Sequence, residues 1–213
     1  MKVLAIGAHP DDIEVGCGAT LALHKKNGHQ VYILVLTKGE ASGDPIIREE
    51  ECLQSSRIIN ADKLFLMNLE DTRLSDKVEV IREIERVISL VDPDIVFVHS
   101  RKDTHQDHRN ANLATLSACR RRKNILCYES PTSLSDFDPK VYVDISSTLS
   151  TKIAMLEVFL SQKSKPFLDD LTQVAHNGND LVSSVVAIAR FRGSQARVQM
   201  AEAFEPERFT LQV

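Results

Sequence analysis

The stretch Ala8-His9-Pro10-Asp11-Asp12-Ile13-Glu14 sets one imidazole beside two adjacent carboxylates. Negative charge concentrated next to a histidine does nothing for packing. It suits a bound cation, or a carboxylate kept free to act as a base. Pro10 fixes its own φ and drives His9 toward extended backbone. His9 and Asp12 stand three apart across a turn, so both can aim at one point, while Asp11 between them faces another way. The competing reading is a turn whose aspartates cap the helix that follows.

A second constellation lies far along the chain, at Asp103-Thr104-His105-Gln106-Asp107-His108. His105 and His108 are three apart at the start of a predicted helix, a spacing that lets both rings face one crevice. With His9 and Asp12, one of them completes two histidines and one carboxylate, a set that holds catalytic zinc and leaves a position open for water. Asp11 is then free to be the base on that water. The other histidine serves as an acid or stabilises a developing oxyanion. Asp107 or Asp103 can orient it by accepting its second ring proton, which puts Asp107 with Asp11 and His105 among the candidate catalytic residues. Spacing leaves open which of His105 and His108 holds the metal. The combination describes metal-assisted hydrolysis of an amide or an ester.

Both motifs follow apolar runs that read as strands. Runs at residues 3–6, 31–36, 64–67, 95–98, 125–128 and 140–145 alternate with helical patterns at 18–27, 45–59, 78–91, 107–120, 150–160 and 181–191. A further helix is expected at 196–204, an edge strand at 209–213 and an irregular flap at 163–178. Helix 78–91 carries its apolar residues on one face, and Pro45 opens the helix at 45. This order predicts an α/β fold: a Rossmann-like, mostly parallel sheet with helices on both faces. Right-handed crossovers put the loops after successive strands on one edge, which brings the two motifs together. The expected organisation is one domain over residues 1–213. Residues 1–125 form a core with the metal site, and residues 126–213 a smaller portion covering it.

Composition narrows the partners. The net charge of −4 gives no reason to expect a polyanion, and the basic run Arg120-Arg121-Arg122-Lys123 suits the end of a helix rather than a nucleic-acid surface. No apolar stretch reaches the length of a membrane span, and the N-terminus reads as a strand rather than a signal peptide. The four cysteines form no C-x-x-C pair, which predicts reduced thiols in a cytoplasmic protein. Cys17 is read as a small core hydrophobe rather than a ligand.

The residues quoted for both motifs, together with Gly16-Cys17-Gly18-Ala19-Thr20, resemble the LmbE-like (PIG-L) zinc-dependent N-deacetylase family. Softer similarities lie in Thr37-Lys38-Gly39-Glu40 with Arg48, in Leu69-Glu70-Asp71, and in Arg192-Gly193 with Ala201-Glu202-Ala203-Phe204. The resemblance implies removal of an acetyl group from an N-acetylglucosamine-type small-molecule substrate. It implies Zn2+ held by His9, Asp12 and His108, a base at Asp11, an oxyanion-side histidine at His105, and sugar contacts at Arg48 and Asp71. Glu14 is expected to accept a hydrogen bond beside the site or to mark the helix start rather than to be a ligand, and His99 to be packing. Many relatives carry a tyrosine where this chain has Met200. The short chain leaves substrate cover to a small C-terminal portion or to a neighbouring subunit of a homo-oligomer. The alternatives are a metal-dependent hydrolase of another bond, iron in place of zinc, and a non-catalytic Rossmann-like binding module. The last lacks a Gly-x-Gly-x-x-Gly after its first strand.

Overall fold

In the computed structural model, which describes residues 1–163 and 181–210, the early apolar runs become parallel strands. These are β1 (Lys2–Gly7), β2 (Gln30–Thr37), β3 (Lys63–Leu69), β4 (Ile95–His99) and β5 (Ile125–Tyr128). Two later strands, β6 (Val141–Asp144) and β7 (Ala201–Arg208), extend the sheet, with β7 antiparallel to both β5 and β6. The order is β3-β2-β1-β4-β5-β7-β6. The chain walks outward from β1 to β3, then returns past β1 to β4. The crevice beyond the carboxyl ends of β1 and β4 is therefore the topological switch point, where open α/β sheets bind their ligands.

Burial on both faces explains the unbroken apolar runs. Leu4, Ile6 and Ala8 join one cluster with Ile84, Val87 and Ile88 of α3 (Val78–Val91) and Ala111 and Ala114 of α4 (Gln106–Ala118). Val3 and Ala5 join another with Ile13 and Leu21 of α1 (Asp12–Lys26) and Met155 of α5 (Leu149–Glu157). Helix α2 (Pro45–Ile58) starts as its proline suggests, with the Asp44 side chain accepting from Ile46 N at 2.8 Å.

Several expectations are corrected. Helix α1 begins at Asp12 rather than residue 18, and kinks at Cys17, where φ is −144°. A Cβ at Gly16 would lie 2.1 Å from the ring of Tyr128, so only glycine admits that ring against the helix. The second half of α1 needs its own cap beyond the kink. Glu202 of β7 supplies it, accepting from Ala19 N at 3.1 Å and Thr20 N at 2.7 Å. Lys152 of α5 pairs with Glu202 at 2.5 Å and donates to the Val15 carbonyl at 2.7 Å.

The helix expected at 196–204 is not formed. Helix α7 (Leu181–Ala196) ends there and Ala201 starts β7. The helix expected at 150–160 divides into α5 and the short α6 (Leu160–Lys163). Phe209 and Thr210 are irregular, and the rest of the expected edge strand lies outside the described residues. So does the expected flap beyond Lys163. None of the described helices is long and apolar enough to cross a membrane.

Candidate metal centre

The turn after β1 is pinned from two sides. Thr37, at the end of β2, donates both its backbone N–H and its hydroxyl to the Ala8 carbonyl, each at 2.9 Å. Arg48 of α2 donates from Nη2 to the Pro10 carbonyl at 2.7 Å. Between these anchors Asp11 adopts φ 94°, a left-handed conformation that aspartate tolerates better than most residues. The reversal turns Asp11 away from Asp12, as the spacing suggests.

Asp12 points into the protein. Its Oδ2 accepts from His9 N at 2.6 Å and lies 3.3 Å from His9 Nδ1, while its Oδ1 lies 3.2 Å from Nε2 of His108 on α4. Ligand atoms of His9, Asp12 and His108 all fall within 4.8 Å of one another. Two overlapping groupings extend the cluster, His9 with His105 and Asp107, and His99 with Asp103 and His108. Asp11 belongs to none of them. Cys17 also stands outside them, buried in the apolar cluster of α1.

The donor set fits a cation. Asp12, Asp71, Asp103 and Asp107 are all buried, and among the described residues none is paired with a lysine or arginine. Oδ1 of Asp107 is buried with no hydrogen-bond partner. Burial opposes a charge on His9, yet Asp107, Asp12 and Asp71 outweigh it and push its pKa up to about 12. A pocket whose carboxylates raise the pKa of a buried histidine is one that favours positive charge. Nitrogen and oxygen donors of this kind suit zinc, and also iron.

His9 and His108 each have a carboxylate beside the ring. Asp103 Oδ2 is 3.0 Å from His108 Nδ1. Asp71 Oδ1 and Asp107 Oδ2 are 2.9 Å and 3.3 Å from His9 Nε2. Asp107 thus faces His9 rather than His105, and Thr72 N donates to it at 2.7 Å. His105 is oriented otherwise. The backbone N–H of Asp107 donates to His105 Nδ1 at 3.2 Å, so in the neutral ring the proton sits on Nε2. Burial and then the neighbouring His108 and His9 lower the pKa of His105, which keeps it neutral. The half-buried ring stacks on His108, with centroids 4.6 Å apart.

Asp11 stands at the rim, its side chain 18 % exposed and its Oδ1 3.9 Å from Arg48 Nη2. Burial raises its pKa to about 7, helped by the charge of Asp12 and opposed by Arg48. Arg48 is fully buried and does not pair with Glu51, which accepts from Ser161. Arg48 also donates to the Ser42 hydroxyl, and Asp71 accepts from Ala41 N at 3.0 Å. The two residues expected to contact a sugar therefore both bond to the loop after β2. Glu14 accepts from the Ser55 hydroxyl at 2.5 Å. The buried Tyr128 donates its hydroxyl to the Ile6 carbonyl at 2.8 Å. His99, expected as packing, has Nε2 3.1 Å from Asp12 Oδ2. A lone histidine at a strand end carries no sequence signal for that contact.

Fold and site together define a Rossmann-like α/β protein with a buried histidine–aspartate centre at its switch point. The chain belongs to the PIG-L family, whose model, described as GlcNAc-PI de-N-acetylase, matches residues 4–119. It is 36% identical over 163 residues to the uncharacterized deacetylase YaiS of Escherichia coli, covering 73% of this chain and 88% of that protein. It is 30% identical over 186 residues to the diacetylchitobiose deacetylase of Thermococcus kodakarensis, covering 76% of this chain and 70% of that one. Its fold matches the conserved protein TT1542 of Thermus thermophilus with a TM-score of 0.84 and 28% identity, over 99% of this chain and 96% of that chain.

Proposed function

We propose that this protein is a zinc-dependent hydrolase that removes the N-acetyl group from an N-acetylglucosamine-type amino sugar or its glycoside, giving acetate and a free amine. One observation carries the reading. His9, Asp12 and His108 converge in a buried site while Asp11, beside them, stays outside the ligand set. The deacetylase names of the relatives agree with it. Zinc held by those three residues would supply Lewis-acid polarisation and lower the pKa of water toward neutrality.

The remaining chemistry belongs to side chains of this chain. Asp11 takes a proton from the attacking water as its oxygen bonds to the acetyl carbon. His105 donates from Nε2–H to the carbonyl oxygen as it gains charge, and a preorganised donor is worth most at that moment. The proton held by Asp11 then passes to the leaving nitrogen as the C–N bond breaks. Asp107 contributes by steadying His9 and presenting its backbone N–H to His105. Arg48 and Asp71 hold the loop at residues 39–43, the wall against which the sugar would lie. Buried free thiols suit a cytoplasmic enzyme.

The test is an acetate-release screen against N-acetylglucosamine glycosides and nucleotide-sugars, with and without a chelator. Release that a chelator abolishes and zinc restores supports the proposal. Absence of release from every amino sugar, or indifference to the chelator, contradicts it. Restoration by iron alone would change the metal and leave the residue roles standing.

A further inference from the structure

We propose that Asp103 and Ser130 form one positioning unit that serves both histidines of the second motif, setting zinc affinity through His108 and turnover through His105. The inference rests on the zinc hydrolase reading above.

Asp103 is 1% exposed. Its Oδ2 faces His108 Nδ1 at 3.0 Å and accepts from the Ser130 hydroxyl at 2.6 Å. Its Oδ1 accepts from His105 N at 2.8 Å. One carboxylate thus lies 3.0 Å from the ring nitrogen of His108, which has no aligned hydrogen-bond partner, and holds the backbone of His105. For His108 to offer Nε2 to a metal, its proton must sit on Nδ1, and an acceptor at Nδ1 selects that tautomer. A carboxylate in that place also strengthens the imidazole as a donor. A buried carboxylate without a lysine or arginine partner is costly unless hydrogen bonds hold it, and the Ser130 hydroxyl is one of the few available.

Ser130 comes from a different part of the chain, the loop after β5. That loop is stitched to the loop after β4. Thr104 N donates to the Thr132 carbonyl at 3.0 Å, Leu134 N donates to the Lys102 carbonyl at 2.8 Å, and Asp103 and Ser133 form an isolated bridge. Ser130 N donates to the Ser133 hydroxyl at 2.9 Å, which fixes the turn that carries its own hydroxyl. The position of His108 is thereby tied to a loop two strands away from β1, not to α4 alone.

The test is chelator competition for zinc, run on wild type, Asp103→Asn, Ser130→Ala and Ser130→Thr, with kcat and KM measured at saturating zinc. Asp103→Asn should weaken zinc binding by about 10- to 100-fold. It should also lower kcat at saturating zinc with KM little changed. Ser130→Ala should weaken zinc binding by about fivefold, the worth of one hydrogen bond, and Ser130→Thr should restore it. A merely structural role would lower thermal stability while leaving zinc affinity of the folded variant within twofold of wild type. Wild type that binds zinc, with Asp103→Asn and Ser130→Ala binding it within twofold as well, overturns the proposal alone. Should Asp103→Asn not fold, the serine pair decides. Wild type that binds no zinc overturns the metal reading beneath it.

Discussion

Nε2 of His99 lies 3.1 Å from Oδ2 of Asp12, and both residues are buried. The same oxygen accepts from His9 N, which leaves Oδ1 facing His108. His99 Nε2 also accepts from Ala8 N at 3.1 Å, so the ring ties one edge of the Asp12 carboxylate to the turn after β1 and leaves the other edge toward His108. Replacing His99 with Phe keeps the bulk and removes the polar contact. Zinc affinity should fall by about tenfold or more, as it does when partners of metal ligands are lost. Competition against a chromogenic chelator reads this directly, and an unchanged affinity would return His99 to packing.

Asp11 belongs to none of the candidate metal-binding groups and has a left-handed backbone. Asp11→Asn should lower the acetate-release rate by about 10²- to 10⁴-fold, the usual contribution of a general base. Turnover near the wild-type rate would deny Asp11 that role.

The buried Lys152–Glu202 pair holds the kink of α1. Lys152→Met strands Glu202 in the interior, although two backbone N–H groups still reach it. The expected loss is about 3–5 kcal/mol in urea unfolding, since breaking a buried pair leaves a charge uncompensated. Adding Glu202→Gln should recover part of that loss. A double variant no more stable than the single one would show that the charge is not the cause.

Much of this architecture was legible in the chain. The apolar runs of β1, β2 and β4 must be buried on both faces, and Pro45 marks the start of α2. The two motifs converge because both follow strands at the switch point. β7 was not legible. Ala201-Glu202-Ala203 favours a helix when read locally, and it becomes a strand because β5 and β6 supply partners on both sides. The kink at Cys17 depends on Glu202 and Lys152, both more than a hundred residues away in sequence, so no local pattern announces it. The same holds for His99 and Ser130, whose partners become neighbours only once the sheet is assembled. Arg48 and Asp71, expected to contact a sugar, also bond to the loop after β2, and no local pattern announces those contacts.

Burial pushes the thiols of Cys119 and Cys127 up to about 12, and those of Cys17 and Cys52 well above the ordinary thiol range. A raised thiol pKa favours the neutral form, which is the unreactive one, at every pH below it. The native protein should show no rapid reaction with a disulfide reagent between about pH 7 and 9. All four cysteines should react after denaturation. A fast-reacting thiol in the folded protein would contradict the packing described.

The central claim is that His9, Asp12 and His108 hold one divalent ion while Asp11 does not. Zinc per chain, measured by elemental analysis after exhaustive dialysis, tests it most directly. The account predicts about one zinc in wild type and in Asp11→Asn, and almost none in His108→Ala, because three protein ligands are the usual minimum for a catalytic site. Zinc retained in full by His108→Ala, or lost from Asp11→Asn, would contradict it.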